Sequence, residues 1–139
     1  MSDPAQIPCS EANLRVKYAN VMNLIPAWVK AQASTLAAEG KTIYDSFFEE
    51  AEMVIITDLK KFAKPLRVSD FSNSAPLTQL KAFKTLELLF RQNAQQDGDK
   101  WDRLAKYYEA QYEQMLRTMP VETPDGANYT PVGGLTRTS

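Results

Sequence analysis

The chain is poor in groups that do covalent or acid–base chemistry. It contains no histidine and a single cysteine, Cys9. Without imidazole there is no Ser-His-Asp or Cys-His pair, no imidazole metal site, and no side chain whose ordinary pKa lies near neutrality. One thiol makes neither an internal disulfide nor a zinc cluster. With no His to activate it, Cys9 reads as an inert thiol rather than a nucleophile. Carboxylates are the next candidates: Glu109 and Glu113 stand four apart, and Glu49, Glu50 and Glu52 form a cluster. An acid–base pair of carboxylates needs one desolvated member. Both sets instead fall among Lys and Arg on the polar sides of apolar stripes, where they read as solvated faces. A di-iron site of the ferritin type needs Glu-x-x-His on its helices. Asp97-Gly98-Asp99 opens like a calcium loop, but the twelfth position is Tyr108, where a bidentate Glu is needed. No glycine-rich phosphate loop is present. The expectation is a protein that is not an enzyme and carries no cofactor or metal.

Binding chemistry is also sparse. Lys60, Lys61, Lys64 and Arg67 form one local basic cluster, suited to DNA or an acidic partner, or simply to charge compensation at a helix end. Tyr107, Tyr108 and Tyr112 suggest base stacking, but Tyr108 and Tyr112 belong to an apolar stripe, and one free aromatic is not a platform. Sixteen basic residues against 17 acidic ones leave a net charge of -1, so no global field attracts nucleic acid or an anionic membrane. The longest apolar run, Met53 to Ile56, falls far short of the roughly 20 residues of a membrane span. Residues 1–8 lack the basic region and apolar core of a signal peptide, so the chain is expected to fold in a cytoplasm. On that expectation Asn128-Tyr129-Thr130 matches a glycosylation acceptor only by chance. At 139 residues the chain has the length of one domain able to bury roughly two thirds of its unfolded surface.

The elements that position these residues are outlined by proline. The eight prolines, at 4, 8, 26, 65, 76, 120, 124 and 131, leave two long proline-free stretches, 27–64 and 77–119. A proline in a helix interior costs about 3 kcal/mol, so these stretches mark the helical parts. Trp101, Leu104, Ala105, Tyr108, Tyr112, Met115, Leu116 and Met119 recur at helical spacing and predict a helix over 100–118, with Asp99 as its N-cap. Asp102, Arg103, Lys106, Glu109, Glu113 and Arg117 are assigned to its polar face. Leu77, Leu80, Phe83, Leu86, Leu89 and Phe90 predict the preceding helix, entered at Ser74 or Ala75 with Pro76 in the first turn. Gln95-Gln96-Asp97-Gly98-Asp99 joins the two as an antiparallel hairpin. A longer helix over 42–63 is read from Ile43, Tyr44, Phe47, Phe48, Ala51, Val54, Ile55, Leu59 and Phe62. Its acidic first half and its closing lysines match the helix dipole. Two shorter pieces precede it: one after Ser10, and one over 27–38 with Trp28, Val29, Leu36 and Ala37 inward.

The fold expected is all-α: a small bundle over 1–119, with a linker at 65–76, followed by an extended C-terminal arm at 120–139. That arm holds three of the eight prolines and three of the five glycines, and only Glu122, Asp125 and Arg137 are charged. It is too apolar for an ordinary solubilising tail and is expected to be ordered by a partner, with Asp125-Gly126 able to seat a tight turn.

The run Leu77 to Phe90, the Asp-Gly-Asp connection, the run Trp101 to Leu116, and then Val121 and Pro124-Asp125-Gly126 together resemble the head-to-tail connector (adaptor) proteins of tailed bacteriophages. The resemblance covers residues 42–130 and includes the order of a long helix, a proline linker and a hairpin. It implies a structural protein of the virion neck, assembled in the host cytoplasm. Such a protein forms a ring, commonly of twelve, beneath the portal protein and above a tail or stopper protein, and DNA passes through it. On that resemblance Val121, Tyr129, Val132 and Leu135 are arm anchors on the portal, Asp125 and Gly126 set a bend, and Arg137 meets an acidic portal group. The reading that competes with it is a non-enzymatic helical module, such as a regulator or an immunity-type protein, that binds one partner by an exposed helix face.

Overall fold

Proline, glycine and short polar side chains set the element boundaries in the computed structural model. It describes residues 7–62, 65–96 and 98–119, with the backbone of 121–122 and 128–129. The chain is all-α. In order the elements are α1 (Glu11–Lys17), a 3-10 turn (Val21–Leu24), α2 (Ala27–Lys30), α3 (Ala33–Ala38), α4 (Asp45–Lys60), a second 3-10 turn (Val68–Asp70), α5 (Ala75–Asn93) and α6 (Lys100–Thr118). Two short strands follow, β1 (Val121–Glu122) and β2 (Asn128–Tyr129).

The hairpin of α5 and α6 lies where the sequence places it. Ser74 is the N-cap residue of α5 and Pro76 sits in its first turn, where a missing N–H costs nothing. The connection turns at Gly98, whose φ of +81° is the left-handed region that favours glycine. Asp99 then caps α6. Its carboxylate accepts from the Asp102 N–H at 2.7 Å and, across the connection, from the Gln95 N–H at 2.9 Å. Asp102 answers by accepting from the Gly98 N–H at 2.8 Å, so one side chain satisfies an orphan donor of the α6 start and the other ties the connection to it.

The bond from Asp102 N–H, followed by those from the connection, holds the Asp99 carboxyl below its ordinary pKa. The resulting stabilisation is complete above the ordinary carboxylate range and fades as pH falls toward the depressed folded value. Asp99→Ala is therefore expected to lower the Tm at pH 7 by a few degrees. Asp99→Asn should keep most of the cap at pH 7 and lose less than the parent on acidification below about pH 4. Thermal scans across pH check both, and an Asn variant with the parent's full acid sensitivity would remove Asp99 as its source.

Two helices are shorter than their apolar patterns suggest. The long helix runs over 45–60, not 42–63, because Thr42 turns the chain before it. The Thr42 carbonyl accepts from the Asp45 N–H at 3.2 Å, and its hydroxyl donates to the Asp45 carboxylate at 2.7 Å. At the other end the Leu66 N–H reaches back to the Leu59 carbonyl at 3.0 Å, folding the linker under the helix. The piece over 27–38 is two helices, α2 and α3, broken at 31–32. This rotates their faces: Val29 is buried, but Trp28 is 69% exposed, Ala37 is exposed and Leu36 is half-buried.

The core divides along the bundle. One cluster joins α1, the first 3-10 turn and Val29 to Tyr44, Phe48, Ala82, Leu86, Leu89, Phe90, Ala105 and Tyr108. The other joins Ile7, Ile55, Leu59, Phe62, Leu66 and Phe71 to Leu77, Leu80, Tyr112, Leu116 and Met119. In this pairing the start of α4 lies with the end of α5, and the end of α4 lies with the start of α5. So α5 runs antiparallel to both α4 and α6. It is enclosed between them and by α1, and it buries Lys81, Lys84, Thr85 and Glu87 as well as its apolar residues.

Candidate functional site

The arm residues named from the sequence are only partly within the described structure. Met119, at the foot of the arm, is buried in the second cluster. From there β1 and β2 pair antiparallel, Val121 opposite Tyr129 and Glu122 opposite Asn128. The pair brackets residues 123–127, which include the Asp125-Gly126 turn expected from the sequence but lie outside the described residues. Asp125, Gly126, Val132, Leu135 and Arg137 lie outside the described residues, as do the side chains of Val121 and Tyr129.

The carboxylates take three different positions. Glu49, Glu50 and Glu113 are exposed, and Glu109 pairs with Arg91. Glu52, assigned to the solvated face with its neighbours, instead points inward. Its Oε1 accepts from the Ile7 N–H at 2.8 Å and from Lys81 Nζ at 3.1 Å. Asp102 is likewise drawn inward to 7% exposure. The Gly98 N–H and then the Lys106 ammonium, at 3.0 Å, hold its carboxyl below the ordinary range. In both cases a carboxylate on a nominally polar face has found an N–H to accept, and that bond offsets its desolvation.

A polar seam runs along the buried side of α5. Lys84 Nζ donates to Glu87 Oε1 at 2.5 Å and lies 4.3 Å from the centroid of the Tyr112 ring. Arg91 Nε donates to Glu87 Oε2 at 2.8 Å, and Arg91 reaches on to Glu109 of α6. The Tyr112 hydroxyl, on a fully buried ring, donates to Asp58 Oδ2 of α4 at 2.6 Å. Burial first, and then the Asp58 carboxylate, push the Tyr112 phenol well above its usual range. The sequence pattern misses this seam because Lys84, Glu87 and Arg91 are charged. The available signal was their 3- and 4-residue spacing, which chains ion pairs along one helix.

Of the other sequence candidates, Cys9 is half-buried beside the first cluster, and burial pushes its thiol up to about 11, away from thiolate chemistry. Lys61 pairs with Asp58 at 3.3 Å, Lys60 and Arg67 are exposed, and Lys64 lies outside the described residues. Tyr107 is 54% exposed and sits edge-on to Tyr108, which is itself stacked on Phe90 at 5.5 Å. Among the described residues no group of three or more Cys, Asp or Glu is placed to hold a metal ion, and no helix is long and apolar enough to cross a membrane.

Several large apolar side chains stand exposed on the described helices. Trp28 on α2 and Met53 on α4 are each 69% exposed, and Val16 on α1 is 85% exposed. Met53 lies in a shallow groove along the outer side of α4, with Glu50, Val54, Thr57, Asp58 and Lys61. Comparison with protein families, curated proteins and solved structures gives no match to this chain.

Proposed function

We propose that this chain is a head-to-tail connector of a tailed bacteriophage, a structural protein of the neck that forms a ring beneath the portal protein and lets DNA pass. The observation that carries the reading is the order and packing of its elements. A long helix, α4, ends ahead of a proline linker; an antiparallel hairpin, α5 and α6, turns on Gly98-Asp99; and a Pro- and Gly-rich segment leaves from the buried Met119. A ring of identical subunits joins unlike surfaces head to tail. Exposed Trp28 on α2 and the Met53 groove on α4 are two unlike apolar surfaces on different elements, as such a contact needs. The near-neutral chain also suits a conduit, because a strongly basic lumen would retain the nucleic acid it must release.

The test is co-expression with the portal protein of the same phage. The full chain is expected to co-purify with the portal and to add a ring to it in electron micrographs. Removal of residues 120–139 should abolish that association while leaving the helical circular dichroism spectrum unchanged. Full association by the shortened chain would overturn the role of the arm. A full chain that stays monomeric and ignores the portal would overturn the connector reading itself.

A further inference from the structure

Ile7 lies three residues ahead of the Ser10 cap of α1, and its side chain is wholly buried in the second core cluster. A single ion pair meets both of its backbone polar groups. The Ile7 N–H donates to Glu52 Oε1 at 2.8 Å, Lys81 Nζ donates to the Ile7 carbonyl at 2.6 Å, and Lys81 reaches back to the same Glu52 oxygen at 3.1 Å. Lys81 is 2% exposed, with its ammonium 5.6 Å from the centroid of the Phe48 ring.

Peptide recognition uses the same two parts: hydrogen bonds to the main chain hold the segment, and a pocket for a side chain selects it. A buried ion pair is a poor stabiliser in its own right, since well-packed apolar residues of similar volume hold a fold as well or better. What Glu52 and Lys81 add over such residues is one acceptor and one donor aimed at the N–H and the C=O of the same residue. The anchors of the segment are also separate from those of α1. Helix α1 is held by buried Leu14, by Lys17 Nζ donating to Gln79, and by the Tyr108 hydroxyl donating to the Lys17 carbonyl. Exposed Pro8 lies between the two sets of contacts.

We propose that Glu52 and Lys81 form a peptide-acceptor site for a segment carrying one aliphatic side chain between a free N–H and a free C=O. Ile7 is its resident occupant and can leave while the helices remain folded. The test uses the full chain with Ile7→Asp, which puts a carboxylate beside Glu52 in an apolar hole and ejects the segment. The probe is a synthetic peptide of residues 1–10 with Cys9 replaced by Ser, compared with the same peptide carrying Asp at position 7. At about 100 times its Kd the Ile peptide is expected to raise the Tm of the variant by about 5–10 °C. The Asp peptide should not, and adding Lys81→Met should remove the effect. No shift with the Ile peptide, or equal shifts with both peptides, overturns the site. Hydrogen exchange on the unmodified protein gives a second reading that does not depend on the variant's folding. The Ile7 amide is expected to exchange about 100-fold or more faster than the buried α5 amides, through local opening. Exchange of all of them at one common rate would overturn the independence of the segment.

Discussion

Replacing Phe90 by Ala is expected to destabilise the protein by about 3–5 kcal/mol, the largest effect of any single side-chain truncation in the bundle. Phe90 is fully buried near the end of α5, and three aromatic rings converge on it. Tyr108 stacks on it at 5.5 Å with an interplanar angle of 4°, Trp101 stacks at 5.9 Å, and Tyr18 meets it edge-on at 5.0 Å. Truncation loses the transfer free energy of the ring and opens a cavity that three rigid rings, two on α6 and one at the end of α1, cannot collapse into. Ring pairs of this kind add about 0.5–1.5 kcal/mol each beyond area burial. Phe90→Leu should therefore cost distinctly less than the Ala variant without being neutral. Urea unfolding at constant m value measures both. A Phe90→Ala midpoint within about 1 kcal/mol of the parent would mean that this end of the bundle is held elsewhere.

The second large effect is expected from Glu87→Ala, about 3–5 kcal/mol, from unpairing rather than from lost volume. The Glu87 side chain is 6% exposed and bridges Lys84, at 10%, to Arg91. Arg91 keeps Glu109 as a partner and remains open to water, so its loss is small. Lys84 would keep its contact with the Tyr112 ring but would have no carboxylate beside it in a buried position. The double replacement Lys84→Met with Glu87→Met fills the same volume without charge and is expected to recover most of the loss. A double-mutant cycle then gives a coupling well above the 0–1 kcal/mol of surface pairs. If Glu87→Ala alone costs less than about 0.5 kcal/mol, the pair is effectively solvated and the seam is not a structural unit.

These two residues also mark what could and could not be read from the sequence. The boundaries of α5 and α6 were legible because local chemistry decides them: Ser74 and Pro76 open one helix, and Gly98 and Asp99 close the turn and cap the next. The start of α4 was misread, because Ile43 and Tyr44 continue the apolar pattern while the Thr42 turn holds them outside the helix. Trp28 was assigned inward because periodicity assumes one continuous helix, and the break at 31–32 changes which residues share a face. The largest gap concerns charge. The pattern argument assigns Glu52 and Asp102 to water, although each turns inward to a backbone N–H, and it gives no reason to bury Lys81, Lys84 and Glu87, which lie on α5, a helix enclosed by three neighbours. Position in the order of elements, between two amphipathic helices, was the clue that α5 would be central. The arm is legible in composition and in the turn residues Asp125-Gly126, whereas the strand pair beyond Met119 depends on cross-strand hydrogen bonds that no residue pattern of two-residue strands can announce.

The placement of Ile7 has a consequence for the living cell, where a chain is made from one end. The residue is translated before its hydrogen-bond partner Lys81, which lies 74 residues further on. At roughly 5–20 residues per second the ribosome takes roughly 4–15 s to add that stretch. Throughout that interval Ile7 has no Lys81 to dock against, so a residue made early is among the last to be seated.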